Sequence, residues 1–221
     1  MSIWRPVADA LIATLFAPPC ATCGTILDAP LGGAVCPSCW AIIDRLVPHR
    51  FAIPPAIRDA MALGEYDGVL RDAIHALKYD GRRTIGSGLS RIIAKHAHPL
   101  LQDADVVVPV PLHRSRERER GFNQSETLAG SLALPARRVL RRIRSTPPQV
   151  DLTAQERRQN VAEAFVVTPS RGMEPTGRVL VLVDDVTTTG ATLEACARVL
   201  LAAGAREVRA ITAARVSTAP R

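Results

Sequence analysis

The run Val179 to Thr192, VLVLVDDVTTTGAT, constrains the fold more than any other part of the chain. Its first five residues, Val179 to Val183, are all apolar and three are valine, which predicts a central strand covered on both faces. Asp184 and Asp185 then emerge at the carboxyl end of that strand, the edge where open parallel sheets bind ligands. Thr187, Thr188, Thr189 and Gly190 follow, with hydroxyls, closely spaced N–H groups and one position free of Cβ. Leu193, Ala197, Leu200 and Leu201 recur at helical spacing, so a helix starts near Ala191 and its N-terminal dipole points into the same turn.

The two parts of this run prefer opposite charge. A Thr-Gly turn at a helix start attracts a phosphate. Two carboxylates repel one and suit vicinal hydroxyls, alone or with a divalent cation. A ribose 5-phosphate satisfies both. The run lacks Gly-Lys-Ser/Thr and is no Walker loop, and it lacks the GxGxxG of dinucleotide binders. A helix cap would account for one acid, but not for two acids and a run of small polar residues.

Cysteine spacing supplies a second motif. Cys20-x-x-Cys23 and Cys36-x-x-Cys39 are two CxxC pairs separated by twelve residues, the pattern of a four-thiolate zinc ribbon or knuckle. Gly24 and Pro37 adjoin the ligands as turn residues, and Gly32-Gly33 punctuates the intervening hairpin. Four protein ligands leave no open position, so the expected zinc is structural. Cys196, on the helix after the Thr-Gly turn, reads as a small core residue.

The rest of the chain alternates strand and helix patterns. Leu70, Ile74 and Leu77 form one helical stripe and Leu89, Ile92 and Ile93 another, while Val106 to Val110 and Val208 to Thr212 read as strands. Alternation of this kind predicts an α/β domain with a parallel sheet flanked by helices. Pro48, Pro54 and Pro55 make a stiff connection, which divides the chain into residues 1–50, an N-terminal helix and zinc ribbon, and residues 51–221, the α/β domain. Val7, Leu11, Ile12, Leu15 and Phe16 give the first helix an apolar stripe, expected to pack on its own domain rather than on a membrane surface. No apolar run approaches the roughly 18 residues of a bilayer span, and no export signal is evident, so a cytoplasmic protein without a transmembrane segment is expected.

Charge is concentrated. The chain has a formal net charge of +7, and His113 to Arg144 holds nine arginines against three glutamates. Guanidinium groups bind phosphate oxygens in pairs, so pyrophosphate suits Arg114, Arg116, Arg118 and Arg120, and nucleic acid competes as partner for these and for Arg137, Arg138, Arg141, Arg142 and Arg144. Aromatic residues make up only 4 % of the chain, which argues against a platform that stacks many bases.

These residues reach a resemblance. Val183-Asp184-Asp185, then Thr187, Thr189, Gly190 and Thr192, resembles the 5-phosphoribosyl-1-pyrophosphate (PRPP) loop of type I phosphoribosyltransferases. The stretch Val106 to Ala129, with PVP and RGFNQ, is similar to the signature of the ComF family. Tyr66-x-Gly68 with Leu77-Lys78-Tyr79-x-Gly81, and Gln149 to Phe165, resemble two further elements of it, in family order.

The resemblance implies a type I phosphoribosyltransferase-like fold and Mg-dependent transfer from PRPP, with a link to DNA uptake. Asp184 and Asp185 would hold the ribose hydroxyls and the Mg²⁺ shell, and Thr187, Thr188, Thr189, Gly190 and Thr192 the 5-phosphate. His113, Arg114 and Lys78 would face pyrophosphate. Thr146 to Asn160 falls where related enzymes carry a closing loop, with Arg157 as the catalytic charge delivered on closure. The acceptor stays open. A PRPP binder without turnover and a single-stranded-DNA-binding adaptor are the competing classes, and a homodimer and a partner from the competence machinery both remain open.

Overall fold

The computed structural model describes residues 4–16, 18–52, 54–144, 164–168 and 173–217. Its main sheet is five-stranded, in the order β1 (His49–Arg50), β2 (Ala60–Glu65), β7 (Glu207–Arg215), β6 (Val179–Thr187) and β3 (Val106–Pro109). All neighbours are parallel except β1, which runs antiparallel to β2. Val179 to Val183 lie in the middle of this sheet, each at most 1 % exposed. Their alternation divides the core in two, as a strand's period of two requires. Val181 and Val183 face one side with Leu63, Val107 and Ile211, and Leu180 and Leu182 face the other with Val106, Val108 and Ala210.

Helices cover both faces. On the first lie α3 (Gly68–Tyr79), α4 (Arg83–His96) and α7 (Gln124–Ala129), and the expected stripes Leu70, Ile74, Leu77 and Leu89, Ile92, Ile93 are all buried there. On the second lies α8 (Ala191–Ala202), packed through Leu193, Ala197 and Leu200. Cys196 is fully buried in that layer, in keeping with a core role. A short α5 (His98–Leu101) leads into β3, and α6 (Arg114–Arg120) follows it. Outside the main sheet, β4 (Leu140–Arg142) and β5 (Phe165–Val167) form an antiparallel pair. The α/β class with a parallel sheet is as the sequence predicts.

Near the N-terminus, α2 (Pro37–Asp44) carries Cys39 and packs the Cys region onto the helical layer. Cys20, Cys36, Cys39 and Ile43 share one continuous core with Leu63, Leu70 and Leu77. Trp40 packs directly on Gly88 of α4, where a Cβ would come within 2.3 Å of the indole Cη2 and force the ring to shift.

The first helix departs from expectation. In α1 (Trp4–Phe16) no residue is buried, and Val7, Leu11, Leu15 and Phe16 are each more than half exposed. Its polar side does the anchoring instead. The Leu31 N–H donates to the Asp9 carboxylate at 2.7 Å, and the Arg5 guanidinium donates to the Leu31 carbonyl at 3.1 Å. Two hydrogen bonds to a loop orient the helix with its apolar stripe outward. No helix among the described residues is long and apolar enough to cross a membrane.

Candidate functional site

The acid pair sits inside β6 rather than beyond it. Pairing with β7 continues past Val183, with Asp184 opposite Thr212 and Thr187 opposite Arg215. On the other side β3 ends, its last pair being Pro109 with Val183 and its last bond the Val110 N–H to the Val183 carbonyl at 2.9 Å. From Asp184 onward, therefore, one flank of β6 is laddered and the other is open. Asp184 and Asp185 are only 9 % and 4 % exposed, so the site is a recess in the sheet edge.

Two elements close around that recess. From α3, the Lys78 ammonium meets Asp185 Oδ1 at 2.9 Å. From α7, Ser125 Oγ donates to Asp184 Oδ1 at 3.2 Å, and the Asp185 N–H donates to the same oxygen at 2.9 Å. Burial, reinforced by the neighbouring Asp185, pushes the Asp184 carboxyl up to about 7. Burial works against the Lys78 charge, but Asp185 together with Asp184 and Tyr66 outweighs it and raises the ammonium above its ordinary value.

One buried oxygen of the acid pair is left without a partner. Asp185 Oδ2 is buried with no hydrogen-bond partner among the described residues. An orphaned carboxylate oxygen costs free energy unless a ligand supplies a donor or a cation. Two hard carboxylates suit Mg²⁺ held jointly with a substrate phosphate, so the residues fit that ion.

The GFNQ element builds this seat. Asn123 Nδ2 donates to the Val110 carbonyl at 3.0 Å while its Oδ1 accepts from the Ser125 N–H at 3.0 Å, which caps α7 against the end of β3. The helix can approach because α4 presents small residues. A Cβ on Gly86 would lie 2.6 Å from Thr127 Cγ2, and Ser90 Oγ donates to the Leu128 carbonyl at 2.6 Å. Sequence reasoning treated GFNQ as a signature and missed Ser125 as a partner of Asp184. The two are 59 positions apart, and no spacing rule connects them.

The turn after the acids joins β6 to α8. Thr187 is buried, Thr188, Thr189 and Thr192 are partly exposed, and Gly190 adopts φ +76° as the N-cap of α8. A side chain at Gly190 would be strained by that φ and would press on Pro54 at 3.1 Å. The N-terminus of α8 thus follows directly on the acid pair.

The basic loop is less uniform. His113 caps α6, its Nδ1 accepting from the Ser115 N–H at 3.3 Å, and Arg114 is exposed. Arg138 is engaged with Glu117 and Glu126. Arg142 of β4 is half-buried over the Phe165 ring at 5.5 Å. Burial and then Arg116 depress its guanidinium, while Cys196 and Asp184 act in the opposite sense, and its Nε donates to the Arg144 carbonyl at 3.3 Å. Arg157 and the segment 146–160 lie outside the described residues.

The cysteines gather as their spacing requires. The Cys20, Cys23, Cys36 and Cys39 sulfurs all lie within 4.8 Å of one another and could hold a metal ion. A tetrahedral ion with bonds of about 2.3 Å sets its ligands about 3.8 Å apart, and the Cys23–Cys36 separation is 3.8 Å. The Cys36 N–H donates to Cys20 Sγ at 3.3 Å, and such donors, with Thr22, outweigh burial and lower the Cys20 thiol to about 6. Burial pushes Cys39 up to about 12.

A parallel sheet with helices on both faces, an acid pair and Thr-Gly turn at its edge, and a four-Cys cluster define a phosphoribosyltransferase-type α/β protein. Residues 127–220 match the phosphoribosyl transferase domain family. The chain is 36 % identical over 166 residues to DNA utilization protein YhgH of Escherichia coli K12, covering 71 % of each chain. It is 32 % identical to competence protein F of Haemophilus influenzae, covering 70 % of this chain and 72 % of that one. The match to competence protein ComFC of Bacillus subtilis is 30 % over 155 residues, 67 % of this chain and 62 % of that one. Among solved structures, the allosteric regulatory enzyme of purine biosynthesis aligns with 58 % of this chain and 26 % of its own at 23 % identity and a TM-score of 0.39. The chain belongs to the ComF family.

Proposed function

We propose that this protein binds PRPP with Mg²⁺ at the carboxyl edge of β6 and transfers its phosphoribosyl group to an acceptor, in the service of DNA uptake. The observation that carries the reading is the recessed acid pair, with one carboxylate oxygen unpartnered, followed at once by a Thr-Gly turn and the start of α8. Asp184 and Asp185 would accept from the ribose hydroxyls. The turn from Thr187 to Thr192 would take the 5-phosphate on its hydroxyls and N–H groups. Lys78, His113 and Arg114 would face pyrophosphate, and Arg157 would deliver a further charge. Bound Mg²⁺ would neutralise charge on the departing pyrophosphate. Displacement at ribose C1 needs no covalent intermediate, so these residues act by orientation, charge and exclusion of water.

Residues 1–50 would form the structural zinc unit and residues 51–221 the phosphoribosyltransferase-like unit of a cytoplasmic protein. The names of the relatives, a DNA utilization protein and two competence proteins, support the cellular context. PRPP with Mg²⁺ should raise the melting temperature, and the Asp184→Asn, Asp185→Asn double variant should not respond. An equal response in that variant removes the site assignment. Release of pyrophosphate over a panel of amines and bases separates a transferase from a binder without turnover.

A further inference from the structure

The Lys78–Asp185 contact asks for a different account from an ordinary ion pair. Lys78 is one of two lysines in the chain, and its side chain is 16 % exposed against 6 % for Asp185. The ammonium takes Oδ1 at 2.9 Å, while Oδ2 of the same carboxylate is buried without a partner among the described residues. Asp184, next along the strand, is held from its other side by Ser125. The recess thus contains two carboxyls and one ammonium. A divalent ion approaching Asp185 meets a positive charge already on that carboxylate, inside a poorly screened pocket.

We propose that Lys78 occupies, in the ligand-free protein, the place beside Asp185 that a divalent cation takes when the sugar phosphate binds, so that the cation enters only together with its anionic ligand. This rests on the reading of the acid pair as a PRPP–Mg²⁺ site and adds how that site is regulated. Exchange is favourable when both arrive together, because the pyrophosphate offers the displaced ammonium a new partner. It is unfavourable for the cation alone, since Lys78 would then be buried with no counter-charge. A lysine suits this role, being a compact charge on a flexible four-carbon stem. The same motion reconciles its contact with Asp185 and its expected position facing pyrophosphate.

The test uses the full chain, purified with zinc supplied, and Mn²⁺ alone, followed by loss of the free-ion EPR signal. Wild type and Lys78→Arg should leave the signal unchanged at millimolar ion. Lys78→Gln should bind Mn²⁺ at least about tenfold more tightly, as expected when a like charge leaves a buried site, and Asp185→Asn in that background should abolish the gain. Lys78→Met substitutes if Lys78→Gln does not fold. Binding of Mn²⁺ alone to wild type, lost on Asp185→Asn, overturns the proposal without any Lys78 variant, as does failure of the neutral variants to gain binding. If PRPP with Mg²⁺ stabilises wild type while the neutral variants gain nothing, the gating idea fails and the site reading stands. If PRPP has no effect while the gain appears, the site reading fails and the displacement by Lys78 holds.

Discussion

The four-cysteine cluster and the acid pair could each hold a cation, and they are built in opposite ways. Around the cluster, four soft ligands from one 20-residue stretch converge within 4.8 Å, and three of them belong to the buried core. The acid pair offers hard oxygens from one strand, already engaged by Ser125 and Lys78, with one oxygen left over. A self-sufficient ligand set retains its ion as part of the fold, whereas an incomplete one waits for a ligand to finish it. On the proposed reading the first arrangement would stabilise the fold and the second would recognise a ligand.

This contrast can be broken most sharply at Cys39. Cys39→Ala should remove metal that otherwise measures about one zinc per chain and lower the melting temperature by about 10 °C or more, since a structural ion contributes directly to folding. An unchanged melting temperature would mean that the cluster is no more a part of the fold than the acid pair.

A smaller effect is expected at the acids. On the proposed reading ligand binding favours the Asp184 carboxylate, which burial in the free protein pushes up to about 7. Binding then releases a proton below that pH, so affinity for PRPP with Mg²⁺ should rise about tenfold between pH 6 and 8 and level off above. Calorimetry at several pH values checks this, and a flat profile would show that the raised carboxyl is not part of the binding step. Smaller again, Ser125→Ala should weaken the ligand a few-fold and move the midpoint of that profile upward, because the hydroxyl favours the ionised form. A loss of affinity with an unmoved midpoint would reduce Ser125 to packing.

Much of this was readable beforehand because it depends on neighbours in sequence. Two CxxC pairs bring sulfurs together through local turns, and a run of valines ending in Asp-Asp-x-Thr-Thr-Thr-Gly is a buried strand, an acid pair and a helix start in that order. The first helix is less legible. Val7, Leu11 and Leu15 have the spacing of a core face, yet Arg5 and Asp9 bond to Leu31 and turn that face outward. Periodicity shows that a helix has an apolar side, and only the surrounding chain decides what lies against it.

Arg142 makes the same point with charge. In sequence it belongs to a basic cluster with Arg137, Arg138, Arg141 and Arg144, and the fold separates the group, setting Arg138 on Glu117 and Glu126 and Arg142 over Phe165. Net charge is a property of composition, but its direction is a property of packing.

By itself, then, the chain's order of residues determined the α/β class, the sulfur cluster and the chemistry of the β6 edge, since strand period, helix period and short-range turns are local physics. Tertiary structure alone decided that Lys78 would rest on Asp185, that Ser125 would hold Asp184, and that β3 would stop one residue short of the acids. Those contacts join elements far apart in sequence, and they form because Gly86 and Ser90 let α7 approach α4 while Pro109 and Val110 end the ladder beside β6. Close packing of separate elements has no signature in any one of them.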